Sequence, residues 1–439
     1  MSTHTTNDAI ARPSSDFLRF WIGQTISNLG SSITMLAIPL LIYERTESAL
    51  YLSLASISYL LPYLMFGLII GAWVDRVDRK RLMIWTDIAR TAVIVTIPLL
   101  AWFDALPLAW IFAVSFLNST LSIAFNSAEF AAIPSLVSSD NLVSANGRIQ
   151  ASYAGATVIG PILAGLLAGV ISIETILLID GLSYLASAAS LALVRGRFNA
   201  AKAAGPRTTM RSDIVEGLRY VFGHPVLRAI SLMIALFNFI GVTFMDQLVL
   251  FSKERLDADE SQVGLLFSAG SVGIIALSLL AGRIRQRAPF SKTVLTALIL
   301  SGLLTIAFAV NTSFVVAMVL FGLTMGISVV FNINTGSLRQ AIVPSHLLGR
   351  VISIAAVIAT SLSPLGSLLG GLAIERTGNV ALVYGTTGVL MVLVAGGFAF
   401  TALGQAERYL PGGDLEHQYA LEEIEATSAP HVTTSGTVA

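Results

Sequence analysis

The sequence predicts an all-α membrane protein whose twelve transmembrane helices form two bundles of six. Three observations carry that reading. The 439-residue chain is 55% hydrophobic with a mean hydropathy of +0.79, and only 12% of its residues are charged, about half the share in ordinary soluble proteins. A soluble domain could not hide that much apolar surface, since even large domains leave about a quarter of their chain surface in water. Apolar runs of about 20 residues, long enough to cross about 30 Å of hydrocarbon, recur with short polar breaks. Those breaks also sort the basic residues onto one side of the membrane.

Taken in order, residues 1–15 form a polar Ser/Thr-rich leader. It lacks the basic start and short apolar stretch of a cleaved signal peptide, so the first span is expected to stay as an anchor. Spans are predicted near 17–43, 49–73, 82–103, 107–133, 145–171 and 174–194, making residues 16–194 a first bundle. The longest interior break, 195–225, is basic at its start and contains Gly205 and Pro206. In it Ser212 or Asp213 could cap a short amphipathic helix lying on the membrane surface. Spans near 226–251, 262–282, 292–311, 314–337, 349–373 and 380–403 make 226–404 a second bundle, and 405–439 reads as an acidic, mobile tail.

Lys and Arg collect in the cytoplasmic breaks of membrane proteins. With the N-terminus inside, every one of the 26 Lys and Arg falls inside except Arg45, Lys253, Arg255 and Arg376; Arg90 is counted with the inside set. A skipped span would invert everything after it and scramble this division. Both termini are therefore expected in the cytoplasm, with the chain embedded in the cell membrane.

An internal repeat supports two halves. Pro134, Arg148 and Pro161 in the first half correspond to Pro344, Arg350 and Pro364 in the second, at spacings of 210, 202 and 203 residues. Near-half-length spacing with the same span parity implies parallel repeats about an axis along the membrane normal, as in transporters that rock around a central site.

Between spans 2 and 3 lie Gly67, Gly71, Asp75, Arg76, Arg79, Lys80 and Arg81. Glycines four apart share one helical face and let another helix approach closely. Asp75 sits where span 2 leaves the membrane, able to pair with the bases behind it or with the positive end of a helix, in one conformation and not another. The plainer alternative is a positive-inside loop with one neutralising acid. The grouping resembles the major facilitator superfamily signature G-x-x-x-D-R-x-x-R-[KR], matched at Gly71, Asp75, Arg76, Arg79 and Lys80. Residues around Trp21, Gly23, Gln24 and Asn28, around Asp180, Ser183 and Tyr184, and around Glu216, Gly217 and Arg219 are similar to the efflux branch that includes macrolide efflux pumps and the enterobactin exporter. The resemblance covers about residues 15–405. It implies the superfamily's twelve-helix fold, and a role for Asp75 in holding the cytoplasmic gate shut in the outward-facing state.

In span 5, Gly155, Gly160, Pro161 and Gly165 resemble that family's antiporter motif; glycines thin one side of the helix and the proline removes a backbone hydrogen bond. Two departures stand out. The break between spans 8 and 9 keeps Arg283, Arg285 and Arg287 but has no acid, and the Arg frequent in the family's span 4 is missing.

Polar residues inside hydrocarbon are costly and tend to face a bundle interior. Asn118, Ser122, Asn126 and Glu129 form one helical stripe on span 4. Spans 1, 7 and 10 add Asn28, Thr34, Asn238, Gln247 and Asn332, and the resemblance implies that spans 1, 4, 7 and 10 line the cavity. Tyr59, Tyr63 and Phe331 are candidate apolar walls, with core packing as the alternative for each. The within-span acids Glu129, Asp246 and Asp180 are candidates for proton coupling, Asp180 with a helix-packing role as the alternative.

The zero net charge argues against a nucleic-acid partner. The lack of Cys excludes disulfides and thiol chemistry. No Gly-Lys pair of a phosphate-binding loop, no G-x-S-x-G elbow and no metal-ligand spacing among His4, His224, His346, His417 and His431 occurs. Catalytic residues, cofactor and metal are accordingly not expected. The expected partners are the bilayer, a small amphipathic substrate and protons, with the chain acting as a monomer. The expected function is export of a drug, macrolide-like or siderophore-like molecule by proton antiport with alternating access; the alternative is a lysophospholipid transporter or flippase.

Overall fold

The computed structural model describes residues 15–74, 76–138, 141–196, 198–199, 210–287, 289–344 and 347–409. Among these, all regular structure is helical. The first half comprises α1 (Ser15–Thr46), α2 (Ala49–Val74), α3 (Arg79–Trp102), α4 (Leu108–Leu136), α5 (Leu142–Ala168) and α6 (Ile173–Leu193). After α7 (Met210–Gly223) come α8 (Pro225–Asp246), α9 (Leu248–Leu256), α10 (Glu260–Arg287), α11 (Phe290–Val310), α12 (Phe314–Ile342), α13 (Leu348–Ser361), α14 (Ser363–Thr377), α15 (Val380–Phe398) and a 3-10 segment, Ala402–Tyr409. Twelve stretches among them are long and apolar enough to cross a bilayer. Large apolar side chains such as Phe130 and Leu279, each 79% exposed, cover the outside of the bundles, where lipid is the solvent.

Local chemistry sets the helix ends. The Asp78 carboxylate accepts the Arg81 N–H at 2.9 Å to open α3, and Asn379 does the same for Leu382 at 3.0 Å to open α15. Gly378, at φ 60°, ends α14 in a left-handed conformation that a side chain would disfavour. Two expected spans are interrupted. Span 7 breaks at Gln247 between α8 and α9, and span 11 breaks at Leu362. Pro364, in the first turn of α14, cannot continue the hydrogen-bond ladder of α13. Its counterpart Pro161 lies within the unbroken α5.

In the first bundle α1 packs on α5 and α6, α3 on α4 and α6, and α2 on α4; in the second, α10 and α11 pack on α12, α11 on α15, and α8 on α13, α14 and α15. Small residues permit the tightest approaches: a Cβ at Gly30 would overlap the Ser183 side chain and lie 2.8 Å from Asp180 Oδ1. The second core is aromatic. Phe251 stacks on Tyr384 at 5.0 Å between ring centres, and the Tyr384 hydroxyl donates to the Phe244 carbonyl at 2.8 Å.

One membrane face carries the start of α1, the end of α6, α7 and the 3-10 segment; we call it the linker face and its opposite the far face. Asp16 Oδ2 accepts the N–H groups of Arg195 and Gly196, tying the start of α1 to the residues after α6. Helix α7 is docked on protein: Glu216 pairs with Arg350, the Tyr220 hydroxyl donates to the Ile342 carbonyl at 3.2 Å, and Val221 is buried against Val343 and Val351. Helix α7 begins at Met210, so Ser212 and Asp213 lie inside it and not at its cap. The expectation of a mobile tail from Gln405 is corrected as far as Tyr409. Leu403 and Ala406 are fully buried, and the Glu407 carboxylate accepts the Ser291 N–H at 2.7 Å and its hydroxyl. Residues 1–14 and 410–439 lie outside the described residues.

Candidate functional site

The two bundles meet at the far face. There α5 packs on α10, with Gly264 so close to Pro161 that a Cβ would overlap its carbonyl, and Gly165 against the backbone of Glu260 and Ser261. The second seam joins α2 to α8 and α14. Gln247 Nε2 donates to the Ala49 carbonyl at 2.8 Å and to Ser53 Oγ at 2.9 Å, while Ser367 Oγ reaches the Ser53 carbonyl at 3.3 Å. Toward the linker face, Cβ atoms at Gly67, Gly71, Gly147, Gly155 and Gly336 would meet nothing within 4 Å. The molecule is closed at the far face and, with α2 packed on α14 but scarcely touching α13, parted at the linker face.

Between the bundles lies a cavity of about 540 Å³, within the range of drug-sized sites. Of the sequence-derived candidates, Asn28, Thr34, Tyr59, Tyr63, Asn118, Ser122, Asn126 and Asp246 line it. The span 4 stripe therefore faces inward as its spacing requires, except that Glu129 is withdrawn behind the wall, 4% exposed, where Glu129 Oε2 accepts the Tyr153 hydroxyl at 2.8 Å. Arg148 lies over the Trp21 ring, 6.0 Å from its centre, and forms no ion pair with Glu129. Four candidates sit elsewhere. Gln247 belongs to the far-face seam. Asn238 donates to the Ala359 carbonyl at 2.9 Å, bolting α8 to α13. Phe331 is core of the second bundle, and Asn332 is exposed on α12 away from this wall. The wall is lopsided: apart from Met245, Asp246, Val249 and Phe267, every lining residue comes from the first bundle.

The cavity also has a charged group that sequence reasoning counted only with the inside set. Arg90 lies about 16 Å along α3 from its start, is 6% exposed, and lines the cavity. It is held from three helices. Arg90 Nη2 donates to the Tyr184 hydroxyl at 2.7 Å and to Ser31 Oγ at 3.3 Å, and Nε to Asn118 Oδ1 at 3.3 Å. Its guanidinium lies over the Tyr184 ring at 3.8 Å and the Phe125 ring at 5.7 Å. Tyr184 in turn donates to Asp180 Oδ2 at 2.8 Å, as does Thr34 at 2.6 Å. One turn below Arg90, Asp87 is fully buried with Oδ1 3.7 Å from Arg90 Nη1. Neither Asp87 oxygen completes a hydrogen bond, although the Ser187 hydroxyl lies beside it. The available signal was an ionisable pair spaced i, i+3 inside an apolar helix. It was overlooked because a base counts toward the inside set whatever its depth.

A family described as a transmembrane secretion effector matches residues 12–429. The chain belongs to the major facilitator superfamily. It is 27% identical over 383 residues to macrolide efflux protein A of Streptococcus pyogenes, covering 86% of this chain and 94% of that protein. To the multidrug efflux pump Tap of Mycobacterium tuberculosis it is 29% identical over 365 residues, 78% of this chain and 83% of the relative. Among solved structures, a bacterial homologue of the human lysosomal transporter Spinster, inward-facing and unoccupied, superposes with a TM-score of 0.70 at 14% identity, covering 88% of this chain and 95% of that one. The nucleoside transporter NupG gives 0.72 at 12% identity, covering 88% and 98%. The chain is thus a multi-pass membrane transporter of a small molecule, with the superfamily's twelve-helix fold.

Within that fold the signature loop grips its own bundle. Arg79 Nη1 donates to the Ala131 carbonyl at 3.0 Å and the Phe198 carbonyl at 3.3 Å, and Lys80 Nζ to the Val194 carbonyl at 2.6 Å. Both cations therefore sit by the carbonyl-rich C-terminal ends of α4 and α6. Arg76 is exposed, and Gly67 and Gly71 look into open space. Asp75 lies outside the described residues. In the antiporter-like segment, Gly160 abuts Ser32 of α1, while Pro161 and Gly165 form the α5–α10 seam and Gly155 is free. Span 4 has no arginine of its own, and Arg90 of α3 reaches it at Asn118 and Phe125.

Proposed function

We propose that this transporter exports amphipathic organic molecules, drug-like or macrolide-like, in exchange for protons. The observation that carries the reading is the cavity between the bundles that joins an aromatic wall (Tyr59, Tyr63, Phe125) to amide and hydroxyl groups (Asn118, Ser122, Asn126). Such a wall suits a greasy molecule with a few polar handles. The relatives named as macrolide and multidrug efflux pumps support the same class.

The distribution of Lys and Arg supports a cytoplasmic linker face, and the host membrane in this reading is the cell membrane. The cavity then loads from the cytoplasm. Export follows when the α5–α10 and α2–α14 seams open and the linker-face ends close, a change that Asp75 stabilises by meeting a helix end or base of the second bundle. Glu129, Asp246 and Asp180 remain candidates for carrying the proton, and one chain is a complete pump.

Expression in a pump-deficient host tests the reading with a panel of macrolides and cationic dyes. Resistance should rise at least fourfold for some members, and a protonophore should abolish the reduced accumulation. Unchanged susceptibility across the panel, in cells where the protein is present in the membrane, removes it. Asp75→Asn is expected to lower efflux at least tenfold at unchanged membrane abundance; wild-type efflux would remove the gate role.

A further inference from the structure

The candidate acids above were chosen from the sequence, but the geometry points to a different one. We propose that Asp87 is the carboxyl that binds the transported proton and that Arg90 transmits its charge state to the substrate cavity. The inference rests on the proton-coupled reading of the previous section and names its proton site.

Asp87 is completely buried, one helical turn from a cavity-lining guanidinium, and neither of its oxygens accepts a hydrogen bond. Structural carboxylates in membrane interiors are held otherwise, as Asp180 is here by Thr34, Ser183 and Tyr184. The 3.7 Å separation from Arg90 leaves room for a direct pair to tighten or loosen. A buried carboxylate needs either a cation or a proton. Proton occupancy of Asp87 and a closed Asp87–Arg90 pair are therefore alternatives.

Arg90 has somewhere else to go. In this conformation it is engaged by the Tyr184 hydroxyl, Ser31 and Asn118, and the last two line the cavity. When Asp87 loses its proton, the guanidinium is drawn toward the carboxylate and away from Asn118 and Ser31, which changes the polar wall offered to the substrate. Substrate and proton are thereby linked without touching the same atom. The groups facing Asp87 are Arg90 on its own helix, Asp180, Tyr184 and Ser187 from α6, and Glu129 from α4. Three carboxyls thus share one cation. Asp180 is saturated by hydroxyl donors and Glu129 by Tyr153 on one oxygen; Asp87 alone of the three completes no hydrogen bond, with only the Ser187 hydroxyl beside it, and proton binding there alters the position of a residue in the cavity wall.

The test uses the full chain in vesicles of phosphatidylethanolamine and phosphatidylglycerol, with erythromycin and ethidium as probes. Wild type should accumulate at least one probe when a pH gradient is imposed, and Asp87→Asn should lose at least nine-tenths of that stimulation. Infrared difference spectra across a pH jump, recorded without substrate, should show a carboxylic-acid carbonyl band that Asp87→Asn removes. Arg90→Lys should shift the midpoint of the pH profile and retain part of the coupling, whereas Arg90→Gln should abolish it. If Asp87→Asn fails to fold, Asp87→Glu replaces it and should keep coupling with a shifted midpoint. Gradient-driven transport at the wild-type level in Asp87→Asn, an infrared band that survives it, or an unmoved midpoint in Asp87→Glu overturns the inference while leaving proton coupling intact. Gradient-independent transport by the wild type overturns the coupling itself.

Discussion

A guanidinium inside a membrane protein is tolerated only when its donors and its charge are both answered. Arg90 meets that demand with three oxygen acceptors, two aromatic faces and the two aspartates at 87 and 180. Removing it strands buried carboxyls, so Arg90→Leu should cost about 3–5 kcal/mol, measured as the drop in unfolding free energy in detergent; a change below about 1 kcal/mol would mean that the network contributes little to stability. A second residue-scale expectation lies outside the membrane. His224 caps α8 through its Nδ1, and burial pushes its imidazole down to about 4 from 6.5. Because the folded value is depressed, the unfolded chain binds the proton first as pH falls. Stability present above about pH 6.5 should decline toward pH 4, by at most about 3 kcal/mol, and His224→Asn, whose side-chain oxygen can take over the capping role of Nδ1, should flatten that decline in thermal unfolding against pH. Arg90 and Asp87 also mark where residue-level reading of a sequence fails. Their types and their place inside the predicted span 82–103 were visible, but that both side chains turn to the bundle interior depends on how α3 is rotated against α1, α4 and α6.

At the scale of elements, the repeated halves have diverged in what fills them. Tyr184 of α6 and Tyr384 of α15 are both fully buried, but the first hydrogen-bonds a carboxylate beside Arg90 while the second stacks on Phe251 and donates to a backbone carbonyl. The first bundle accordingly carries the Arg90 network and most of the cavity wall, while the second offers an aromatic core and one cavity-lining acid, Asp246. Gln247 sits at the far-face seam because α8 breaks there, which turns a residue expected on the cavity wall into a clasp on α2. Gln247→Ala removes two donated bonds, worth about 1 kcal/mol each. The variant should shift the population toward opening at the far face by roughly tenfold or more, visible as a longer α2–α14 distance by spin-label spectroscopy. An unchanged distance distribution would show that the clasp is incidental. Hydropathy located both broken spans, and Pro364 announced one break; nothing at Gln247 announces the other.

Across the whole molecule, alternating access requires two faces that are never open together. Since the chain has no Cys, single cysteines give a direct test. In the conformation described, Gly67→Cys and Gly155→Cys should react rapidly with a water-soluble maleimide and Ser53→Cys, fully buried in the far-face seam, at least tenfold more slowly. Saturating substrate should narrow or invert that ratio if the cavity changes sides; identical rates at all three sites would contradict a parted linker face. Span number, the two-half plan, the signature loop and the inward stripe of α4 were determined by the amino-acid sequence alone, because hydrophobic length and helical spacing are properties of one segment at a time. Only the tertiary structure decided that Glu129 turns away behind Tyr153, that Gln247 clasps α2, that Gln405–Tyr409 docks on α11, and that Arg90 stands between Asp87 and the cavity. Each of these depends on how one helix is rotated and at what depth another meets it, and that is settled by packing between segments far apart in the chain.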